Sequence, residues 1–226
     1  MSNIQNEITN FLIENGAVQV GFCKLGDDEF GRNEFVLSYA ISYTVPLSDV
    51  IVDGIDGAPT HTYFHHYRTV NTLIDNNSLK AGFILRRHGY KYVPIAASQS
   101  VNGLQGVFSH KYAAVRSGLG YVGKNGLFIS TENGPRVRLG TILTDCSEFE
   151  VNTEILECEC GECNACRRAC PAMAITGNIW KPGEPRENIV DALACSKHMK
   201  AAYQKIGRGA VCGICMRVCP RHNSHL

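Results

Sequence analysis

Apolar residues recur at helical spacing at the start of the chain and at strand-like spacing soon afterwards. Four of them share one face of a predicted helix over residues 3–15: Ile4, Ile8, Phe11 and Leu12. Gly16 follows as a helix-ending residue. The β-branched and aromatic runs at 17–22 and 35–45 then predict two strands.

The middle of the chain continues to mix the two patterns. A long helical pattern covers residues 62–88, with a break expected at the turn-forming residues 75–78. The further predicted elements are a strand over 92–98, a helix over 109–118, and an antiparallel hairpin of strands 126–131 and 136–144 joined by a turn at 132–135. This mixture predicts an α/β (α+β) first domain over residues 1–150.

From about residue 150 the apolar periodicity disappears and cysteine takes over, which predicts a second, smaller domain over 151–226. The chain of 226 residues is long enough for one such core and an appended module. No apolar run reaches the length of a membrane span, and the amino terminus lacks the pattern of an export signal. We therefore expect a cytoplasmic protein with no membrane partner.

The cysteine content favours metal binding over disulfide bonds. Of the eleven cysteines, eight lie within residues 160–219. Disulfides belong to oxidising compartments, whereas clustered thiols in a reducing compartment are typical of metal sites.

Two runs of cysteines have the spacing of bacterial ferredoxins. The first is Cys160-x2-Cys163-x2-Cys166-x3-Cys170-Pro171, and the second is Cys195, sixteen residues, then Cys212-x2-Cys215-x3-Cys219-Pro220. In such proteins the last cysteine of a run ligates the other cluster. The spacing therefore predicts two 4Fe–4S clusters with crossed ligands. One is held by the Cys160 set (Cys160, Cys163, Cys166 and Cys219) and the other by the Cys170 set (Cys170, Cys195, Cys212 and Cys215).

Paired cysteines also bind zinc, so a pair of zinc knuckles is the alternative. We expect the insertion 196–211 to form a helix and a loop, and the three other cysteines, Cys23, Cys146 and Cys158, to be free thiols.

Residues 157–226 carry ten Lys and Arg against six Asp and Glu, a balance of +4. Two clusters of about 2− each would offset this charge, so the basic balance does not predict nucleic-acid binding.

A glycine-rich stretch in the first domain is the candidate for ligand binding. Gly118, Gly120, Gly123 and Gly126 lie within nine residues, which suits a close approach of the backbone to a flat ligand. A helix end followed by a turn would use the same residues.

The segment "AAVRSGLGYVGKNGLFI…RVRLGTILTD", together with the two cysteine runs, resembles the epoxyqueuosine reductase family and the related cobalamin-dependent reductive dehalogenases. The resemblance implies a nitroreductase-like domain with a base-off cobalamin, and electrons arriving from an external donor such as ferredoxin or flavodoxin. The positions that it implies for the corrinoid are Gly120, Gly123, Lys124, Asn125, Leu139, Gly140 and Thr141. Lys124 could instead be a solvated turn lysine.

The sequence also departs from this family. The family carries an aspartate before the arginine of its R-x-G-L-G motif, whereas residues 100–116 contain no acidic residue. The sequence also ends six residues after Pro220, without the family's helical extension for tRNA. We therefore expect neither epoxyqueuosine reduction nor tRNA binding.

Two groups of histidines are weaker candidates. His110 is the group near the missing acid that titrates closest to neutral pH, so we predict it as the proton donor, with helix capping as the alternative. Residues His61, His65 and His66 have metal-ligand spacing, but an exposed helix face explains them equally well.

Two functional hypotheses follow. The first is an iron–sulfur oxidoreductase that passes electrons to a cobalamin and reduces a small substrate. The second is an electron-transfer protein, or a reductive activator of a corrinoid partner protein, without its own substrate.

Overall fold

A computed structural model describes residues 2–28, 31–101, 103–207 and 211–223. The chain divides into two compact units. Unit 1 comprises Met1–Pro46, Val70–Gly120 and Arg138–Leu156, and unit 2 comprises Leu47–Thr69, Tyr121–Val137 and Glu157–Leu226. The predicted division at residue 150 differs from this grouping, because two earlier segments pack with the cysteine-rich region.

Helices and strands are mixed along the chain up to residue 144, as the apolar pattern predicts. The strands are β1 Gln19–Lys24, β2 Tyr39–Pro46, β3 Tyr92–Ile95, β4 Gly120–Val122, β5 Phe128–Ser130 and β6 Val137–Thr144. The α-helices are α1 Asn3–Glu14, α2 Asp49–Asp53, α3 His61–Arg87, α4 His110–Arg116, α5 Ala165–Ala169, α6 Ala192–Tyr203 and α7 Ile214–Arg217. This arrangement confirms the mixed α/β class.

A four-stranded sheet in the order β1-β2-β6-β3 forms the centre of unit 1. Strand β1 runs antiparallel to β2, with Gln19 opposite Thr44, and β3 runs antiparallel to β6, with Tyr92 opposite Thr144. Six consecutive residues of β2 are buried. Burial on both sides of the pleat indicates a strand that is covered on both faces of the sheet.

Helix α3 runs without the break that the sequence predicts at residues 75–78. Turn-forming side chains favour a break because they compete for backbone hydrogen bonds, but Asn77 and Ser78 are buried here and have tertiary partners. The amide of Asn77 donates to the carbonyl of Asn15 at 2.9 Å, and Ser78 Oγ lies 2.8 Å from the hydroxyl of Tyr43. These contacts remove the competition and let the helix continue.

The predicted hairpin of 126–131 with 136–144 is wrong. Strand β5 pairs with β4 in a two-stranded sheet, and β6 joins the four-stranded sheet instead. The glycines at 123 and 126 close a tight connection between β4 and β5, in which Gly123 N–H donates to Leu127 O at 2.9 Å and Gly126 has a φ of 70°. Glycine adopts this conformation without a steric penalty.

The long insertion between Cys195 and Cys212 begins as predicted. Helix α6 extends to Tyr203, and a short 3-10 turn follows at Gln204–Ile206. Residues 208–210 of the expected loop lie outside the described residues. Within the described ranges, no helix is long and apolar enough to cross a membrane.

Candidate metal centre

Helices in unit 2 carry three of the eight cysteines predicted as cluster ligands, and a fourth caps one of these helices. Helix α5 holds Cys166 and ends at Cys170, α6 holds Cys195, and α7 holds Cys215. Gly213 begins α7 with a φ of 81°, and a Cβ there would lie 2.7 Å from Ile55. Only glycine fits this close, left-handed start, so α7 can follow directly after Cys212.

The Cys160 set forms one electrostatic neighbourhood. Burial, followed by the nearby thiols of Cys160, Cys166 and Cys163, raises the pKa of Cys219 to about 11. Burial also raises the pKa of Cys166, and the thiols of Cys160 and Cys163 raise it further. Cys219 thus lies with residues that precede it by more than fifty positions, which is the grouping that crossed ligation requires.

The Cys170 set forms the second neighbourhood. Burial raises the pKa of Cys195, and the thiols of Cys212 and Cys170 raise it further. Burial likewise raises the pKa of Cys215, with contributions from Cys212, Cys195, Cys166 and Cys170. Because Cys166 belongs to the Cys160 set, the two neighbourhoods are adjacent.

The grouped thiols fit the chemistry of iron–sulfur clusters, in which four thiolates hold each cluster. Among the residues that the structure describes, no three His, Cys, Asp or Glu side chains are arranged to hold a single metal ion. The inference that unit 2 binds iron–sulfur clusters therefore depends on the two sets of four thiols. The ligation itself stays a prediction.

The free thiol Cys158 lies against the first ligand of the Cys160 set. A hydrogen bond from Cys158, assisted by the backbone and charge of Lys124, lowers the pKa of Cys160 to about 6, and the same pair raises the pKa of Cys158. Both thiols pack against a small buried cluster that contains Tyr121, Ile129 and Cys219. A thiol favoured as thiolate is suited to metal ligation.

Lys124 and Asn125, predicted to face a corrinoid, contact the two cysteine runs of unit 2. Both are only 6% exposed. Lys124 Nζ donates to the carbonyl of Gly161 at 2.6 Å, next to Cys160, so the alternative of a solvated turn lysine is wrong. Asn125 Nδ2 donates to the carbonyl of Cys215 at 3.5 Å. One dipeptide thus contacts both runs.

A network around a buried arginine supports α7, and no local pattern in the sequence indicates it. Arg136, whose side chain is 3% exposed, donates to Asp49 Oδ1 at 2.6 Å and to Asp53 Oδ1 at 2.8 Å. Arg217, in the Cys215-x3-Cys219 segment, lies 3.4 Å from the same Asp53 oxygen. In the sequence, Arg136 looks like an ordinary residue at the start of a strand. Its partners lie in helix α2, far away along the chain.

In unit 1, protein contacts account for two of the predicted corrinoid positions. A Cβ on Gly140 would overlap the ring of Tyr43, so glycine is required there by the sheet itself. Thr141 is fully buried, and its hydroxyl lies 2.8 Å from His110 Nδ1. Leu139 is half-buried and Gly120 is buried in β4. In unit 2, a Cβ on Gly123 would lie 3.0 Å from Ile129.

His110, the predicted proton donor, has a partner on each ring nitrogen. Its Nε2 lies 2.9 Å from the carbonyl of Ala96, and its Nδ1 faces Thr141 Oγ1. The carbonyl accepts from Nε2–H, so Nδ1 accepts from the threonine hydroxyl. Although the residue is partly exposed, the protein around the ring desolvates it and lowers the pKa of His110 to about 4. The imidazole is therefore neutral at pH 7.

The remaining candidates make structural contacts. His66 Nε2 accepts from the backbone N–H of Ser48 at 3.0 Å, and His65 Nδ1 lies 3.3 Å from Thr69 Oγ1. Cys23 and Cys146, which are predicted to be free thiols, are both buried.

Unit 1 has two open surface grooves of about 500 and 400 Å³. The larger lies between α1 and α3 and is lined by residues such as Phe11 and Phe83; the smaller is lined by residues such as Gly21 and Ser117. The residues that the resemblance implies for the corrinoid line neither groove.

Comparison with known proteins defines the class of the cysteine-rich region. Residues 159–222 match the family of 4Fe-4S double cluster binding domains. This match supports iron–sulfur clusters over zinc for the two cysteine runs.

Two sequence relatives are epoxyqueuosine reductases. The protein of Staphylococcus aureus is 35% identical over 120 residues, which cover 52% of this chain and 30% of the relative. The protein of Vibrio cholerae is 28% identical over 200 residues, which cover 82% of this chain and 49% of the relative. The chain thus spans less than half the length of these relatives.

Solved structures with a similar fold come from two groups. A reductive dehalogenase, described in connection with B12-dependent dehalogenation, has a TM-score of 0.76 at 22% identity, with 96% of this chain and 31% of the other covered. An epoxyqueuosine reductase has a TM-score of 0.65 at 17% identity, covering 97% and 65%. Another, with an epoxyqueuosine-modified tRNA stem loop, has a TM-score of 0.62 at 19% identity, covering 97% and 65%.

These findings confirm the resemblance that the sequence predicts. The chain has epoxyqueuosine reductases as sequence relatives, and its fold is shared with epoxyqueuosine reductases and reductive dehalogenases. Its cysteine-rich region matches the 4Fe-4S double cluster binding domains, and its sequence is similar to that of reductases.

Proposed function

We propose that the chain is an iron–sulfur oxidoreductase that takes electrons from an external donor, such as ferredoxin or flavodoxin. The electrons pass through two 4Fe–4S clusters to a cobalamin, and a small substrate is reduced. The observation that carries the proposal is the arrangement of eight thiols in unit 2 as two adjacent sets of four. Adjacent clusters suit one-electron transfer from one to the other.

Cobalamin is the acceptor that the relatives suggest, since one protein of similar fold is linked to B12-dependent dehalogenation. When bound, a corrinoid supplies the two-electron reduction, and the protein supplies binding and orientation. Gly140 and Thr141 have protein partners that explain them without a ligand. Among the positions that the resemblance implies in unit 1, Gly120 and Leu139 are those that we propose to face the corrinoid.

A second function, electron transfer without a substrate of its own, is favoured by His110. The predicted proton donor is neutral at pH 7, and its ring nitrogens are paired with Ala96 and Thr141. A protein that only relays electrons to a partner, such as a corrinoid protein, needs no such donor.

We propose further that neither epoxyqueuosine nor tRNA is the substrate. Epoxide opening needs a proton for the leaving oxygen, and loss of a positioned acid typically costs about 10²–10⁴-fold in rate. Residues 100–116 contain no acidic side chain that could take this role. An assay of the reduced, cobalamin-loaded protein with epoxyqueuosine-containing tRNA should give no queuosine; turnover would overturn this point.

Anaerobic titration with cobalamin separates the two main functions. The cluster-loaded protein should shift the absorption spectrum of cobalamin towards the base-off form if it is a corrinoid reductase. If the clusters are present and tens of micromolar cobalamin leave the spectrum unchanged, the electron-transfer function replaces it.

A further inference from the structure

We propose that Lys124 is a positioning residue that holds a positive charge beside the cluster of the Cys160 set and raises its reduction potential. The inference rests on the proposed clusters and adds a role that differs from the corrinoid contact implied by the resemblance. It concerns residues of unit 2 alone.

The contacts of Lys124 place its charge at the first cysteine run. Its Nζ donates to the carbonyl of Gly161 at 2.6 Å, and Gly161 directly follows Cys160. Strand β4, the turn with Gly123 and Gly126, and strand β5 hold the lysine backbone in place. Both ends of the side chain are therefore fixed, so the ammonium group stays next to the ligand.

The buried ammonium group of Lys124 needs a negatively charged partner to be stable. Lys124 is 6% exposed, and none of the ion pairs formed in the described part of the chain involves it. A buried charge is costly unless it is paired, and a carbonyl offers only a dipole. Arg221, another cation near Cys160, is already paired with Glu159 at 2.9 Å. The anionic, thiolate-ligated cluster is the group that would balance Lys124.

The consequence for electron transfer follows from charge. Reduction adds one electron to the cluster and no proton, so the reduced form carries one more negative charge. A fixed cation stabilises that form more than the oxidised form, and net charge around a cluster is one determinant of its potential. Loss of the cation should lower the equilibrium constant for reduction by about tenfold, which corresponds to about 59 mV for one electron.

The test compares three variants of the full chain, reconstituted and handled anaerobically. K124Q keeps an N–H donor but removes the charge, and K124R keeps the charge. K181Q removes a charge from an exposed lysine in the same unit and is the matched control. Iron content is measured first, and the potentials are then measured by redox titration followed by electron paramagnetic resonance. The signal of the Cys160 set is the one that Cys219→Ser removes.

The proposal expects a potential about 59 mV more negative for that cluster in K124Q, with K124R and K181Q close to the wild type. Equal potentials in K124Q and K181Q would overturn it. If K124Q takes up no cluster, retention in K124R supports the charge, whereas loss in both shows a steric role and overturns the proposal. A wild-type chain that takes up no clusters would instead refute the proposed function.

Discussion

The sheet of unit 1 and the cysteine-rich part of unit 2 have different kinds of interior. In unit 1 the sheet and its helices bury large apolar side chains completely, among them Ile8, Leu12, Ile41, Ile74, Leu85, Ile142 and Leu143. The described residues of the cysteine-rich region (157–207 and 211–223) bury few apolar side chains, chiefly Ala174, Ile175, Ile189, Tyr203, Ile214 and Met216. The eight cysteines predicted as cluster ligands lie in this same region. Burial of apolar surface stabilises the first kind of interior, whereas the second depends on what its thiols bind.

This difference bears on how each unit responds to loss of the cofactor. Metal binding to a site that is absent in the unfolded chain contributes its binding free energy to folding. The cysteine-rich region should therefore be stable only with its clusters, while the sheet needs none. The following predictions test this contrast, from the largest expected effect to the smallest.

Removal of iron should unfold the cysteine-rich region and spare the sheet. Amide hydrogen exchange of iron-free and cluster-loaded protein measures this directly, because exchange reports local opening. We expect protection over 159–222 to be lost without iron and protection of β1, β2 and β6 to remain. Equal loss in the sheet would show that its stability also requires the clusters.

Cys219→Ser should remove one whole cluster, namely the one whose other ligands lie about fifty residues earlier in the chain. The variant should retain about four irons, since each cluster contains four. Cys146→Ser is the matched control, because Cys146 is a buried cysteine of unit 1 without a predicted ligand role, and it should retain about eight. Iron analysis and electron paramagnetic resonance check both variants. Loss of the Cys170-set signal in Cys219→Ser would refute crossed ligation.

Gly140→Ala should destabilise the sheet without changing the iron content. The new Cβ overlaps the ring of Tyr43, and overpacking of a core typically costs about 1–3 kcal/mol. Gly106→Ala, in an exposed loop where the nearest atom would be 3.3 Å from the Cβ, is the control and should cost less. Thermal unfolding followed by circular dichroism measures both. Equal stability of the two variants would argue against the packing explanation for Gly140.

The smallest predicted effect is a pH dependence that arises from His110. Burial lowers the pKa of His110 to about 4 in the folded chain, against an ordinary value of 6.5. Between these values the unfolded chain binds the proton and the folded chain does not, so stability falls as pH decreases from about 6.5 towards 4. His110→Gln should remove this part of the dependence. The free energy of unfolding is measured for the variant and the wild type at pH 7.5 and at pH 5.5. An equal difference at the two pH values would contradict this prediction.

The sequence predicted the elements with local patterns well and those with distant partners poorly. Helix α1 follows from Ile4, Ile8 and Leu12 because their spacing alone defines a buried face. The continuity of α3 could not be predicted, because the partners of Asn77 and Ser78 come from other elements. The hairpin error has the same origin, since β6 pairs inside the sheet with strands far away in sequence.

The candidate site shows the same division. The two sets of thiols follow from cysteine spacing, because that spacing reflects the geometry of a cluster. The burial of Lys124 and the network of Arg136 depend on contacts with Gly161 and with Asp49 and Asp53, which no local pattern encodes. The Tyr43 ring over Gly140 likewise appears only when the strands are paired.

The most direct test of the account is a count of iron and acid-labile sulfide in the anaerobically reconstituted chain. Two 4Fe–4S clusters predict about eight irons and about eight sulfides per chain, with a broad visible absorption that bleaches on reduction. Zinc bound in stoichiometric amounts, with no iron and no sulfide, would contradict the central claim.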